Sequence, residues 1–329
     1  MEKRKKTETV SIIGLDRISG SIGLVLRKSS LGLTVMGYSD DQGVSNKAKE
    51  LNVVDKVMNN LVKTAAAADI VILNTPLTQQ EETIQIIGDV VKDHALIIDI
   101  TSLKGPGIRW ANKHLQQGHY VGVSPVLSAD FLEDARMDLE AATVNLYKDS
   151  VFCIMPSPSA DPEAVQTAVN LGRLLGATPF FLDADEYDSL VHGIETIPGL
   201  LAGALFSSVK QSTGWRDILR FAGLPFAQAT AALDDEDLVE LTRHDKEATL
   251  RWLDALLSEL QSVRRLVAEG DEERLTLIFE DLAFQRSKWL VERKRNDWNE
   301  AQSSSELTNF SVSSQLFGFG RRRKKKNES

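Results

Sequence analysis

The sequence predicts an α/β protein, in which an N-terminal doubly wound, mostly parallel sheet is followed by an all-helical domain. Three observations carry this. Seven short apolar runs recur through the first 182 residues, helix-length segments separate them, and after Asp183 the strand pattern stops.

The runs are "TVSIIGL", "LTVMGYS", "DIVILNTP", "ALIIDI", "HYVGVSP", "VFCIMP" and "TPFFLD", with "TQQEETIQIIGDVV" and "DPEAVQTAVNLGRLLG" among the segments between them. Strands that alternate with helices build parallel units. Several runs are unbroken rather than alternating, as in strands covered on both faces. From Glu186 to about Trp298 the text is helical throughout, with turn signals at "STG", "GLP" and "EGD". In "ATLRWLDALLSELQSVRRLVAEG", Leu250, Leu253, Leu256, Leu257 and Leu260 recur at steps of three and four, the stripe of a helix core or a dimer seam. The expected domains are 8–182, nucleotide-type; 183–300, helical, for substrate and dimerisation; and 301–329, a Ser-rich basic tail that reads as disordered.

Of the 329 residues 42% are hydrophobic and 26% charged, the balance of a globular chain long enough for two domains. The opening "MEKRKKTETV" has charges but no apolar segment behind them, and no later stretch reaches the uninterrupted apolar length that spans a bilayer, so a cytoplasmic location is expected. The single cysteine, Cys153, excludes an internal disulfide and a thiolate-rich metal site, and in "SVFCIMP" it reads as a buried strand residue; no metal is expected. Net charge is −9, yet the closing "RRRKKKNES" holds six basic residues and one acid, so the body is more acidic than the whole. An acidic body argues against nucleic acid as the main partner.

The first run leads into "SIIGLDRISGSIG". In the dinucleotide fingerprint G-x-G-x-x-G the first glycine makes a tight turn, the second admits the diphosphate to the backbone, and the third lets the helix pack closely. Here the three places read Gly14, Asp16 and Ser19. A carboxylate about 5 Å from a phosphate charge costs on the order of 3 kcal/mol at an effective dielectric near 20. Asp16 can also cap the helix and take amides a phosphate would use. Arg17 partly offsets this, by turning toward a diphosphate or by pairing with Asp16. After the second strand, Ser39 stands at the place for an acid on the adenosine ribose, with Asp40 and Asp41 just beyond and no basic residue from 38 to 46, so NAD is favoured over NADP. Thr75 and Pro76, closing "DIVILNTP", complete the expected cofactor contacts. The other reading of the loop is an inherited one with impaired affinity.

With this layout and the stretch "IIDITSLKG", the chain resembles the prephenate/arogenate dehydrogenase family, over about residues 9–290. The best segments are "VSIIGL…SGSIGLVLRK", "DIVILNTP", "IIDITSLKG", "YVGVSPVLS" and "FLDADEYDSLVHGIETIPGLLAGAL". The resemblance implies a two-domain homodimer with its active site between nucleotide domain and helices, and oxidation of a cyclohexadienol, prephenate or arogenate, by hydride transfer to a nicotinamide as a carboxylate is lost. Asp99, Ser102 and Lys104 match the family's D-x-x-S-x-K, with Ser102 bonding substrate or nicotinamide and Lys104 at the substrate. Arg220, in "GWRDILRFAG", falls where members bind a substrate carboxylate, a role suited to its planar fork; a surface pair with Asp217 is the alternative.

Two departures stand at the chemistry. Members carry H-P-M-x-G, where this chain has "SPVLS" with Ser124 in the histidine's place, and S-H-L-P, where it has Glu195, Thr196, Ile197 and Pro198. A serine hydroxyl binds but does not act as a base near neutrality. His192, four residues before Thr196, shares its helix face and either takes over the lost role or packs at the domain interface. The leading reading is an NAD-linked dehydrogenase of this type. Two others stay open: a catalytically impaired relative that binds a metabolite or a partner, and an oxidoreductase of the same architecture with another substrate.

Overall fold

The computed structural model describes residues 8–296 and 298. The basic tail expected at 301–329 lies outside them. The first part runs β1 (Thr9–Ile13), α1 (Arg17–Lys28), β2 (Thr34–Tyr38), α2 (Gln42–Glu50), β3 (Lys56–Val57), α3 (Leu61–Ala67), β4 (Ile70–Leu73), α4 (Leu77–Gly88), β5 (Leu96–Asp99), α5 (Gly105–His114), β6 (His119–Pro125), β7 (Val151–Pro156), α6 (Pro162–Leu174) and β8 (Thr178–Phe181). Helices follow: α7 (Ala184–Val191), α8 (Ile197–Lys210), α9 (Trp215–Phe221), α10 (Leu224–Thr230), α11 (Leu238–His244), α12 (Lys246–Glu269) and α13 (Glu272–Arg295), with a π turn, His192–Thr196, joining α7 to α8.

The strands form one eight-stranded sheet in the order β3-β2-β1-β4-β5-β6-β7-β8, parallel except where β7 runs antiparallel to β6. All seven predicted strands are present. The eighth, β3, is two residues, exposed Lys56 and half-buried Val57, too short to print a period in the sequence. The unbroken apolar runs are buried on both faces as expected. Ile12, Ile72, Ile98 and Val121 pack into one core, while their neighbours Ile13, Val71, Leu73 and Ile97 pack into another on the opposite face. Each such side chain contributes roughly 1.5–3 kcal/mol on burial. Strand order reverses between β1 and β4, and a crevice at the carboxyl ends of strands beside such a reversal is where sheets of this kind bind ligands.

Beyond the sheet, the turn signals fall where helices break, after α8, α9 and α12. The chain divides into two compact units, the first ending at Thr249 and the second starting at Leu250, within α12. In the second unit α12 and α13 meet at a turn where Gly270 has φ +65° and Asp271 caps α13 through the Arg274 amide at 3.1 Å. Leu250, Leu257 and Leu260 of the apolar stripe remain exposed. In the first unit, a third core cluster, including Leu77, Leu103, Cys153, Met155, Tyr187, Val191 and Leu241, packs α7 and α11 over the sheet. Cys153 is buried, as its setting predicted. The run Ala184–Lys210 is long and apolar enough to cross a bilayer by length and composition. Its first turns bury Tyr187 and Val191 in that cluster and carry Asp185, Glu186 and Asp188, so no clear membrane span is assigned.

Asp69, just before β4, ties the sheet's lower edge together. It accepts the Thr9 amide at 2.9 Å and Lys92 Nζ at 2.7 Å, with His94 Nε2 at 3.3 Å. Burial alone raises its pKa, but Lys92, the Thr9 amide and His94 outweigh that and hold the carboxyl below its ordinary value. A depressed folded-state pKa gives stability that is present above the unfolded value and lost as pH falls through the folded one. Urea unfolding from pH 6 to pH 2 should therefore show Asp69→Asn less stable than the parent at pH 6, with the gap closing below about pH 4.

Candidate functional site

The turn between β1 and α1 is built for close approach. Gly14 has φ +85°, and a Cβ there would lie 1.7 Å from the Asn74 carbonyl oxygen, so no other residue fits without moving backbone. Asp16 is the N-cap of α1. Its Oδ1 accepts the Ser19 amide at 2.8 Å, and the Asp16 amide donates to Ser19 Oγ at 3.1 Å, a reciprocal capping box.

Arg17 takes neither course expected of it. It is fully buried, and the β6–β7 loop folds over it: Nη1 donates to the carbonyls of Asp134 and Arg136, each at 2.7 Å, and Nη2 to Asp134 Oδ2 at 3.1 Å. Phe131 lies against the guanidinium, its ring centroid 5.5 Å away. The Arg17 amide itself donates to the Met137 carbonyl at 3.0 Å. A guanidinium out of water needs acceptors on its N–H groups, and a loop with two carbonyls and a carboxylate supplies them more fully than Asp16, which is committed to its cap.

At the end of β2, Ser39 Oγ accepts the Asp41 amide at 3.2 Å, and Asp41 caps α2 through the Gly43 amide at 2.6 Å. Asp40 is exposed and accepts the Tyr38 hydroxyl at 2.5 Å, which with burial pushes Tyr38 up to about 12. Beyond β4, the Thr75 hydroxyl is buried without a hydrogen-bond partner, and Pro76 precedes α4.

A second group of residues gathers where β5 and β6 end. Asp99 is fully buried and saturated: Oδ1 accepts the Thr101 amide and hydroxyl at 2.8 and 2.6 Å, and Oδ2 accepts Gln80 Nε2 at 2.5 Å and the Tyr120 hydroxyl. Lys104 is fully buried too. Its Nζ donates to the carbonyls of Thr101 and Asp99 and stands 5.8 Å from the Tyr187 ring centroid. Burial pushes the Lys104 pKa down, against the pull of the Asp99, Asp188 and Glu195 carboxylates. From α7, Asp188 caps α5, accepting the Lys104 and Gly105 amides at 2.7 Å each, while burial raises its carboxyl to about 6.

Ser124 and Ser102 are both half-buried. Ser124 is hydrogen-bonded to Tyr187, whose hydroxyl is raised well above its ordinary value, chiefly by burial and then by the charge of Glu195. Glu195 sits in the π turn, a distortion that recurs at functional sites. Its side chain is exposed, yet the protein around it raises its carboxyl to about 7, against the opposing pull of Lys104.

His192 does not join this group as a relocated base. It is fully buried, with Nδ1 2.9 Å from Thr196 Oγ1 and 3.4 Å from Thr249 Oγ1, so it is packed inside rather than offered to a substrate. Arg220, on α9, is exposed with Asp217 3.7 Å away, and among the described residues no hydrogen bond or ion pair joins it to the Ser124 group. Sequence reasoning passed over Tyr187, Asp188 and Glu195. Of these Glu195 left a signal, an acid where the family pattern has serine, inside the apolar opening of a helix.

Residues 22–179 match the family described as prephenate dehydrogenase, nucleotide-binding domain. Over 279 residues the chain is 25% identical to the prephenate dehydrogenase of Bacillus subtilis, covering 83% of this chain and 73% of that protein. It is 21% identical to the cyclohexadienyl dehydrogenase of Zymomonas mobilis over 276 residues, or 83% and 92% of the two chains. In sequence the chain is similar to the prephenate and arogenate dehydrogenases. Its fold is theirs: the A. aeolicus prephenate dehydrogenase, solved with hydroxyphenyl propionate and NAD+, superposes with a TM-score of 0.75 at 20% identity, covering 87% of this chain and 99% of that one. For the Synechocystis arogenate dehydrogenase the TM-score is 0.64 at 19% identity, with 85% and 99% covered.

A nucleotide domain of this family implies NAD, and the residues divide in how they fit it. The Gly14 turn, the acidic end of β2 and the orphaned Thr75 hydroxyl suit the adenosine side and the crossing of the sheet. The diphosphate place at the start of α1 does not fit as it stands, because the Arg17 and Ser19 amides already have acceptors from the chain itself.

Asp188 joins two elements through one carboxylate, so Asp188→Ala should lower unfolding stability by about 2–4 kcal/mol, the loss of a cap plus two buried amides left unpaired. Denaturant titration with an unchanged m-value checks it; a loss under 1 kcal/mol would mean that water serves those amides equally well.

Proposed function

We propose that the chain is an NAD-linked oxidoreductase of the prephenate/arogenate type, acting on a small carboxylated ring acid that bears a ring hydroxyl. The observation that carries this is the single group formed by Ser124, Tyr187, Lys104 and Glu195 at the carboxyl ends of β5 and β6, beside the D-x-x-S-x-K residues. In it the Ser124 and Tyr187 hydroxyls orient the ring hydroxyl. Glu195, in the π turn, accepts the proton that this hydroxyl loses. Its carboxyl at about 7 is half ionised at neutrality, the poise a general base requires. Ser102 contributes a further hydrogen bond, and Lys104, buried beside the group, donates to the Thr101 and Asp99 carbonyls. NAD is favoured over NADP because the end of β2 offers acids and no base.

Arg220 is proposed as the carboxylate anchor, a role that requires it to leave Asp217 when substrate arrives. The division into a nucleotide domain, 8–182, and a helical domain, 183–300, is kept as part of the proposal, with cytoplasmic location. A homodimer is supported by the exposed Leu250, Leu257 and Leu260 stripe, which a single chain leaves wet. The second reading, a relative that binds the ring acid without turning it over, is favoured by the engaged amides of α1.

An assay of NADH formation with prephenate and with arogenate separates the two readings. The enzyme reading expects turnover with at least one substrate, rising with pH through about 7 as Glu195 ionises. Glu195→Gln should lower kcat by roughly 10²–10⁴-fold and flatten that limb. Binding of either acid by the folded parent without turnover would favour the second reading.

A further inference from the structure

The β6–β7 loop does more at α1 than cover it. From Phe131 to Asp138 it offers the helix start the kinds of atom that a diphosphate would: the Met137 carbonyl on the Arg17 amide, and the Asp134 carboxylate with the Asp134 and Arg136 carbonyls on the Arg17 guanidinium. The Asp134 carboxyl is held far below its ordinary range, first by its bond to Arg136, with Arg17 adding to the effect, so the strap bears a permanent negative charge at neutral pH. Its own geometry depends on Asp134, which also binds Arg136 Nε at 2.8 Å and Nη2 at 2.7 Å. Behind it the contact with α1 is close. A Cβ on Gly20 would meet Leu139 Cδ1 at 2.5 Å, the Thr143 amide donates to Ser21 Oγ at 3.0 Å, and the Tyr147 hydroxyl donates to the Ile18 carbonyl at 2.6 Å.

We propose that the strap Phe131–Asp138 and the diphosphate of the dinucleotide compete for the start of α1, with Arg17 as the group that both bind. Closed, Arg17 is neutralised by Asp134. Open, its guanidinium and its amide are released together, and a charge that was spent inside the chain faces the diphosphate. This offsets the repulsion of Asp16, which stays on its cap in both states. Apparent affinity for the dinucleotide is then the intrinsic affinity reduced by the fraction of molecules with the strap open. The inference rests on the NAD-linked reading above, and its test needs no turnover.

The test is calorimetric titration of the full-length chain with NAD, alongside amide hydrogen exchange of residues 131–138 with and without NAD. Asp134 lies at the surface end of the ion pair, so Asp134→Ala loosens the strap while leaving the core intact. The expected result is about tenfold or more tighter NAD binding by Asp134→Ala, an intermediate gain for Asp134→Asn, and faster exchange across 131–138 in the parent when NAD is added. Arg17→Leu should bind more weakly than Asp134→Ala, because it frees the strap but removes the shared partner. If the parent binds NAD with the affinity of Asp134→Ala and exchange does not change, competition is overturned while the NAD-linked reading stands. If neither folded protein binds NAD at any usable concentration, there is no dinucleotide place beneath the strap, and both fall.

Discussion

The buried ammonium of Lys104 sets the terms for the candidate site. Moving such a charge out of water costs several kcal/mol, and the fold recovers this only by bringing carbonyls and carboxylates to it. The Thr101 and Asp99 carbonyls take its protons, and Asp99, Asp188 and Glu195 surround it with opposite charge. Asp188 also caps α5, which fixes α7 against the sheet. Glu195, in the π turn that follows α7, is close enough to feel the same charge. The protein around it raises its carboxyl, with Lys104 pulling the other way.

At the other end of the crevice the constraint is the helix start. Four amide donors at the beginning of any helix seek acceptors, and a dinucleotide fold ordinarily leaves them for phosphate. Here Asp16 and the β6–β7 loop supply acceptors from within. That loop leaves the sheet at Ser124 and Pro125, so Ser124, proposed to orient the ring hydroxyl, and the strap over α1 belong to one continuous segment. Two of the departures from the expected patterns thus lie along this segment: Ser124 stands where it leaves the sheet, and its Met137 carbonyl accepts the amide of Arg17, next to Asp16.

Much of the fold was legible because it is written in apolar periodicity. The runs from "TVSIIGL" to "TPFFLD" became strands, and Ile12 and Ile13 packing into opposite cores shows why their pattern was unbroken. The two-residue β3 was illegible because it has no room for a period. The site was less legible. Asp16 was read correctly as a cap, since its capping box lies within four residues. Arg17 was misjudged because its partners are more than a hundred residues away, on a loop with no periodic signal. His192 shares a face with Thr196 as its spacing predicted, but spacing does not say whether that face meets a cleft or a core. Glu195 could have been singled out by its charge in an apolar helix start, whereas its nearness to Lys104 and Tyr187 exists only in the folded chain.

What lies against the Arg17 amide when a dinucleotide is present decides between strap and diphosphate, and a crystal structure of the full-length protein grown with NAD measures it. Competition for the helix start predicts a diphosphate oxygen within hydrogen-bond distance of the Arg17 amide, with the Met137 carbonyl withdrawn from it and Arg17 turned away from Asp134. NAD held in the crevice with the Met137 carbonyl still on that amide would contradict it.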